Sequence, residues 1–365
     1  MGRGVTTGWA LAVLLWPLVA ACSSATPPGP PPTPDASAPP SGVAAAAAPT
    51  AAVTPGAMRF RVAATQPAVV AAHLVPYWVG IDNGIFRQQG LAVELVTLQS
   101  DQVALTAMAN GEVDIVLGTP SPTQLAVLAG GIDAVMLGAT HNAFDQRLMA
   151  AADIQTPEDL KGKTAVISAE GTLNDWQLRE GLARIGLDPM NDLSGWWTGA
   201  NQAERVNNLK IGNGQATPIP PPLSTTLVQE GFTDFGDLSA GPPWPGVAII
   251  TARRTYLARF DYVQRFLKGL LASIQRTKAD PDAAKQAIAK YTQIDAPEAL
   301  EEAYAVYGDR LLERVPYLSL EGLQRAVDFS VEKRPTVRSL RTSNLVDQTA
   351  LQRLESSGYV DQLYR

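Results

Sequence analysis

The sequence predicts an α/β protein in which mostly parallel sheets are covered by helices. Strand-like and helix-like segments alternate from about residue 58, and a second alternating unit begins near residue 163. The chain has 365 residues, 46% of them hydrophobic and 18% charged, which is enough for two globular units with sizeable cores. The single cysteine and the two histidines exclude intrachain disulfides and Cys-cluster zinc sites.

The N-terminus has the features of a lipoprotein signal. Arg3 precedes a short apolar stretch at residues 9–16, and Val19-Ala20-Ala21-Cys22 resembles a bacterial lipobox. We therefore expect residues 1–21 to be a signal peptide and Cys22 to be lipidated, the alternative being a plain signal peptide with a coincidental cysteine. A diacylglyceryl group gives stable anchoring. The mature protein is expected outside the cytoplasm, in the periplasm or at the cell surface, anchored to the membrane by lipid.

Residues 22–57 are predicted to be a disordered tether rich in proline and alanine. They include Pro30-Pro31-Pro32 and the alanine run 44–48, and they lack the bulky apolar residues needed to bury a core. The prolines favour extended polyproline II conformations. The segment would therefore hold a folded domain at some distance from a membrane.

The first folded unit is predicted to alternate strands and helices in regular order. Gly111 is placed to end one helix in the left-handed conformation, and Ser121-Pro122 has the residues of a helix start. Trp78 shares one helix face with Leu74 and Ile81 and is expected in the core. The predicted strands are residues 59–65, 91–98, 112–118 and 134–140.

The second unit opens with a strand at residues 163–168 and a helix that closes near Gly186. Residues 212–222 are rich in glycine and proline, which favours a loop or an edge strand. Residues 246–251 are predicted to be a buried strand. The chain after it is predicted to be almost wholly helical.

The order of these elements resembles the extracytoplasmic solute-binding proteins of bacterial ABC importers, in the branch for nitrate, sulfonates, taurine and thiamine-pyrimidine precursors. The resemblance covers residues 59–350. The segments that carry it are Gly84-Ile85-Phe86, Gln89-Gly90-Leu91-Ala92-Val93-Glu94, Asn110-Gly111-Glu112-Val113-Asp114 and Thr156-Pro157-Glu158-Asp159-Leu160-Lys161-Gly162-Lys163. The chain departs from the family at residues 215–218, where the family has Gly-x-x-Asp-Ala before a strand.

The resemblance implies a two-lobe type II periplasmic-binding-protein fold with a discontinuous first lobe and a helical C-terminal region. Lobe 1 would comprise residues 58–142 and 246–365, and lobe 2 residues 143–245. It implies a monomer that holds one small-molecule solute in the cleft and delivers it to an ABC permease in the cytoplasmic membrane. No cofactor or metal is expected.

Two other function classes are disfavoured by the residues themselves. The net charge of -6 and the absence of a Lys/Arg-rich run argue against a nucleic-acid partner. Thiamine-pyrimidine synthases share the implied fold, but Cys22 is assigned to lipid and only two scattered histidines remain, so an enzyme is not expected. A ligand-sensing lipoprotein for a membrane receptor stays open as an alternative.

Three loops are candidates for the ligand site because ligands of open α/β sheets bind beyond the carboxyl ends of strands. Gln66 follows the first strand and Thr119 and Ser121 follow the third. Gly171 and Thr172 follow the first strand of the second unit. Ser121 and Thr172 are also suited to capping helices, and a capped helix end still offers backbone N–H groups to a ligand.

The histidines and tryptophans are further candidates. His141, at the first crossing between the implied lobes, is either a ligand contact or a hinge residue, and His73 is ranked below it. Trp176 points away from the core face of its helix, and Trp197 and Trp244 lie in segments flanked by glycine or proline. These three are either packing residues or surfaces on which a ligand stacks.

Charged residues near the start of the first helix of the second unit indicate which charge the solute can carry. Glu170 and Asp175 already offset the positive end of the helix dipole, so an anion would be repelled unless an arginine such as Arg205 compensates. We therefore expect a planar, heteroaromatic, non-anionic solute. Sulfonate-type or nitrate-type anions remain the alternative.

Overall fold

The computed structural model describes residues 56–65 and 70–365. These residues form ten strands: β1 (Met58–Ala64), β2 (Leu91–Thr97), β3 (Ile115–Gly118), β4 (Ala134–Ala139), β5 (Arg147–Ala150), β6 (Thr164–Ile167), β7 (Gly195–Thr198), β8 (Ala216–Ile219), β9 (Thr233–Asp237) and β10 (Ala248–Ala252). The predicted signal peptide, Cys22, almost all of the tether and Gln66 lie outside the described residues.

Helices connect the strands and form the C-terminal third of the chain. They are α1 (Val75–Asp82), α2 (Ile85–Gln88), α3 (Asp101–Asn110), α4 (Pro122–Ala129), α5 (Leu173–Arg184), α6 (Gln202–Lys210), α7 (Leu223–Gln229), α8 (Arg253–Ala258), α9 (Phe260–Ala279), α10 (Pro281–Thr292), α11 (Pro297–Tyr304), α12 (Leu320–Lys333), α13 (Thr342–Leu345), α14 (Thr349–Ser356) and α15 (Tyr359–Leu363). A π-helical segment, Ala305–Arg310, follows α11.

The first sheet has the strand order β2-β1-β3-β10-β4. β1 is parallel to β2 and β3, whereas β10 is antiparallel to both β3 and β4. Since β10 comes from much later in the chain, this first lobe is discontinuous. Its predicted strands 59–65, 91–98 and 134–140 are observed within one residue at each end.

The second lobe has a three-stranded second sheet, in the order β8-β5-β9, and a two-stranded sheet of β6 and β7. β5 is antiparallel to β8 and β9, and β6 is parallel to β7. β8 lies beside β6, where the backbone N–H of Gln215 donates to the Thr164 carbonyl oxygen at 2.8 Å. In each lobe an antiparallel strand, β10 in the first and β5 in the second, comes directly after the chain has crossed from the other lobe. This arrangement confirms the predicted two-lobe fold.

The prediction of a loop or edge strand at residues 212–222 is confirmed as an edge strand. β8 is fully buried and is the edge strand of the sheet β8-β5-β9, where it pairs with β5 and Pro218 lies opposite Leu148. Pro218 lacks an N–H donor, which is why proline usually marks an edge.

Two large apolar clusters stabilise the fold. One packs the first sheet against α1 and α9, and it includes Phe60, the fully buried Trp78 and Phe266. The other begins on the opposite face of that sheet and continues through Phe144 and Trp244 into the second sheet. The lobes therefore share apolar packing at their junction.

Two crossing segments, residues 140–146 and 238–247, join the lobes. They bond to each other through backbone N–H groups: Gly246 donates to the His141 carbonyl oxygen at 2.9 Å, and Trp244 donates to that of Asn142 at 3.1 Å. The Asn142 side chain also donates to the Tyr317 carbonyl oxygen and accepts from the Ser319 N–H, both at 2.7 Å. The chain that leads into α12 is thereby tied to the junction.

Candidate functional site

The carboxyl edge of the first sheet faces the junction between the lobes. β1, β3 and β4 end at this edge, and the antiparallel β10 begins there, so the residues around them meet. Thr119, after β3, donates its hydroxyl to the carbonyl oxygen of Gly246, just before β10. Thr119, a predicted ligand contact, therefore lies at this edge. Its hydroxyl proton is already donated to the Gly246 carbonyl oxygen, so its oxygen is left to accept a hydrogen bond.

His141 follows β4 and is buried, with 4% of its surface exposed. Its ring packs on Gly246 so closely that a Cβ added to this glycine would lie 1.7 Å from the His141 Nε2. Its Nδ1 lies 3.5 Å from the Thr140 hydroxyl oxygen. The second crossing segment therefore needs a glycine at position 246 to accommodate the imidazole.

His73, His141, Asp145 and Tyr307 form what we call the polar junction. The Tyr307 ring lies 6.1 Å from the His73 ring and 6.4 Å from the His141 ring, between centroids. The Tyr307 hydroxyl donates to the Asp145 carboxylate at 2.9 Å. Asp145 belongs to the first crossing segment and Tyr307 to the π-helical segment after α11. The junction thus joins residues from the first-lobe edge, a crossing segment and the C-terminal helices.

Burial sets the protonation of the polar junction. It lowers the pKa of His73 to about 4, against the opposing effect of Asp145, and it also lowers the pKa of His141. Burial raises the pKa of the Tyr307 phenol well above its usual value. At neutral pH both imidazoles are therefore neutral, and each can donate one hydrogen bond and accept another.

Further polar contacts join the C-terminal helices to the second sheet. Arg147 forms ion pairs with Asp234 at 2.5 Å and with Glu302 of α11 at 3.5 Å. Arg310 contacts Asp237 at 2.5 Å. These pairs are partly buried, and they hold α11 and the segment after it against the second lobe.

The predicted hydroxyl contacts at Ser121 and Thr172 are helix caps in the structure. Ser121 Oγ accepts from the Gln124 N–H at 3.1 Å, and Thr172 Oγ1 accepts from the Asp175 N–H at 3.3 Å. The N–H of Gly171 donates to the Asp175 carboxylate at 2.8 Å, and the Cα of Gly171 packs against Lys333. The capping interpretation of both hydroxyls is observed, and any direct ligand contact stays a prediction.

Two of the three candidate tryptophans lie in an aromatic cluster that we define as Phe144, Trp176, Trp244 and Phe329. The Trp176 ring lies 4.2 Å from that of Trp244 and 4.8 Å from that of Phe329, between centroids. Trp244 is 1% exposed, so in this conformation it packs at the junction. Trp176 also borders a groove of about 420 Å³ along α12, with Arg325 and three acidic residues.

Trp197 is not part of this cluster. It lies on β7, which pairs with β6 alone, and it is 48% exposed. Its neighbour Trp196 lies under the Arg179 guanidinium, which is 4.7 Å from the ring centroid. A ligand contact at Trp197 stays a prediction.

The second lobe holds buried polar groups that the sequence-based site did not include. Gln202 and Arg205 are buried on the inner face of α6, and Ser224 is buried at the start of α7. Gln202 Oε1, Arg205 Nε and Ser224 Oγ have no hydrogen-bond partner among the described residues. The i, i+3 spacing of Gln202 and Arg205, in line with Leu209 on the same face, is the sequence signal that could have indicated them.

Residues 56–65 and 70–365 contain neither a metal-binding cluster nor a helix fit to span a membrane. That part of the chain contains no group of three or more His, Cys, Asp and Glu side chains arranged to bind a metal. None of its helices combines the length and apolar character needed to cross a bilayer.

Comparison with known families finds one match in sequence. Residues 71–192 match the family model described as NMT1/THI5 like. This range includes the motifs around Gly84, Gly111 and Thr156 that carry the resemblance. No curated protein sequence matches the chain.

Solved structures confirm the fold that the resemblance implies. The alkanesulfonate-binding protein SsuA from Xanthomonas axonopodis pv. citri, bound to MOPS, is 17% identical with a TM-score of 0.60, covering 81% of this chain and 99% of its own. The periplasmic aliphatic sulphonate binding protein SsuA from Escherichia coli is 18% identical with a TM-score of 0.60, covering 81% and 93%. The periplasmic nitrate-binding protein NrtA from Synechocystis is 12% identical with a TM-score of 0.63, covering 84% and 91%.

Proposed function

We propose that this chain is the solute-binding component of an ABC importer, which captures a small solute between its lobes and delivers it to a membrane permease. The observation that carries the proposal is the polar junction, in which hydrogen-bonding side chains from separate parts of the fold meet beside the crossing segments. Neutral imidazoles and a phenol beside a carboxylate are suited to binding a polar solute. The fold is shared with sulfonate-binding and nitrate-binding proteins.

The lobes of the proposed binding protein comprise residues 58–142 with 246–365, and residues 143–245. Solute capture would close them by rotation about the crossing segments. Backbone hydrogen bonds between these segments and the Asn142 ties to residues 317 and 319 would guide this motion. The Arg147–Glu302 ion pair would be made and broken with it.

The proposed solute is planar and heteroaromatic. The half-buried His73 ring and the Tyr307 ring meet nearly edge to face, at 69°, and such faces suit a flat aromatic partner. The expectation that the solute has no negative charge rested on Glu170 and Asp175. Asp175 is paired with Arg179 at 2.7 Å and Glu170 is exposed, so this argument against an anion loses its basis.

The binding test compares two tyrosine variants in the full-length protein. A thermal-shift screen over pyrimidines, aromatic acids, sulfonates and nitrate identifies a ligand, whose binding should raise the melting temperature. Tyr307→Phe removes the hydrogen bond to Asp145 and should weaken binding about fivefold or more. Tyr317→Phe removes an exposed hydrogen bond to Glu355 and is the matched control. Equal binding by the two variants would contradict the proposed site.

A scattering measurement tests the proposed motion. The radius of gyration of the wild-type protein should fall when the ligand from the screen saturates it. A ligand that binds tightly without changing the radius would argue against closure between lobes.

We further propose that the protein is an extracytoplasmic monomer anchored through a lipid on Cys22. The motive is that the chain's single cysteine stands at the lipobox position. Cys22→Ser should move the protein from the membrane fraction to the supernatant of the same cell extract and abolish labelling by a fatty-acid probe. Retained labelling and membrane association in the variant would refute the anchor.

A further inference from the structure

We infer that two ion pairs form a clasp between the lobes and control access to the polar junction. In each pair one residue belongs to the first lobe and one to the second: Arg310 with Asp237, and Glu302 with Arg147. The inference rests on the proposed solute-binding function and deepens it. It assigns the regulation of solute entry and exit to side chains at the rim of the polar junction.

The first observation is that the two pairs join separate parts of the fold. Glu302 lies on α11, and Arg310 ends the π-helical segment that follows. Their partners lie on β5 and β9, which pair with each other in the second sheet. Arg310 also donates to the Ser239 hydroxyl at 2.5 Å. The clasp therefore fastens a helical region of the first lobe to a sheet of the second.

Uncharged contacts between α11 and α7 extend the clasp. α7 belongs to the second lobe and packs directly on α11. The Thr225 hydroxyl on α7 donates to the Glu302 carboxylate, and the Gln229 side chain donates to the Glu298 carboxylate at 3.4 Å. A rotation that separates the lobes would break these contacts together with the ion pairs.

The second observation is that the clasp lies beside the polar junction and nearer to solvent. Tyr307 stands between Glu302 and Arg310 in the chain, and the charges of Glu302 and Asp237 add to the raised pKa of its phenol. Tyr307 and His141 are only 3% and 4% exposed. The side chains of Glu302 and Arg310 are 27% and 45% exposed. Opening of the clasp would therefore expose the buried groups of the polar junction.

The two pairs do not stabilise the contact equally. Burial raises the pKa of the Glu302 carboxyl and outweighs the lowering effect of Arg147. The ionised Glu302 side chain therefore gains little free energy from its place between the lobes. Arg310 makes two contacts across the boundary, to Asp237 and to Ser239. The pair of Arg310 with Asp237 is therefore the one to test.

The test measures how fast diethyl pyrocarbonate modifies His141 in the full-length protein at pH 7. The chain has two histidines, both in the polar junction, and mass spectrometry of the peptides distinguishes His141 from His73. Because His141 is buried, the reagent reaches it only when the junction opens. The modification rate therefore follows the fraction of molecules that are open.

Arg310→Gln and Asp237→Asn should each raise the modification rate of His141 about fivefold, as expected for the loss of a partly exposed ion pair. The double variant should react no more than about tenfold faster than the wild type, since both substitutions remove the same contact. Independent effects would multiply to about 25-fold. Arg276→Gln is the matched control: its side chain is equally exposed, at 46%, and it pairs with Asp280 inside the first lobe, so the rate should not change.

The melting temperature of each variant separates a local opening from a general loss of stability. Arg310→Gln and Asp237→Asn should melt within about 5 °C of the wild type. A larger fall would show that the pair supports the fold as a whole, and it would overturn the inference. Reaction of His141 at the wild-type rate in both single variants, or multiplied effects in the double variant, would overturn it as well.

The clasp and the solute-binding function fail in different ways. If a solute from the thermal-shift screen binds and reduces the radius of gyration while His141 reacts at the wild-type rate in the clasp variants, the solute-binding function stands and the clasp does not. If the clasp variants expose His141 in the expected pattern while no solute binds, the clasp stands and the solute-binding function fails.

Discussion

Protonation of His73 should weaken the fold as the pH falls from neutral toward 4. The pKa of His73 is lowered from 6.5 to about 4 in the folded protein, mainly by burial. The unfolded chain therefore binds the proton more tightly than the folded protein does. As a result, His73 does not reduce the free energy of unfolding above pH 6.5, and it reduces that free energy progressively as the pH falls from 6.5 toward 4. One pKa unit is about 1.4 kcal/mol, so the loss between pH 7 and pH 4.5 is about 2 kcal/mol.

The assay is urea denaturation of the wild type and of His73→Gln at pH 7 and pH 4.5. Carboxylates far from His73 contribute equally to both proteins, so the difference between their pH-dependent losses reports His73 together with its coupling to Asp145 and His141. We expect the loss in the variant to be about 2 kcal/mol smaller. If the free energy of unfolding falls equally in both proteins between pH 7 and pH 4.5, the reasoning is refuted. A difference in this free energy between the two proteins that is the same at both pH values would reflect only altered packing.

Two further substitutions test the junction between the lobes. Gly246→Ala places a methyl group against the His141 ring and should lower the free energy of unfolding by about 1–3 kcal/mol. In urea denaturation, the double variant that also carries His141→Ala should regain part of this free energy. If it regains none, the contact between Gly246 and His141 is not the cause. Trp176→Ala should cost about 2–3 kcal/mol because it opens the aromatic cluster, whereas the exposed Trp197→Ala should change stability by less than about 0.5 kcal/mol in the same urea titration. Equal effects of the two tryptophan variants would contradict the cluster.

The first lobe could be predicted from sequence because its signals are local. The glycine at position 111 adopts the left-handed conformation that ends α3, and Ser121 caps α4 with Pro122 in the first turn, both as predicted. The second lobe has shorter strands with weaker patterns. β5, β7 and β9 were not predicted, because four or five residues give too few alternations to distinguish a strand from a loop.

The candidate site was harder to predict because it depends on contacts between distant residues. His73 and Asp145 are unremarkable in sequence, and they meet only through Tyr307, from a helical region that carried no candidate. Arg205 was considered only as a compensating charge, since sequence does not show whether an arginine is buried or paired. Trp176 and Trp244 were candidates from the sequence, but their mutual packing at the junction follows from the tertiary fold alone.

Both histidines of the chain belong to the polar junction, and this gives the protein a natural spectroscopic probe. With two histidines in 365 residues, a proton NMR spectrum should contain only two imidazole C2–H resonances, both from the place where the lobes meet. Because each ring lies about 6 Å from the Tyr307 ring, a change in the lobe angle would alter its ring-current shift. Opening and closing could therefore be followed without attaching a label or changing a residue.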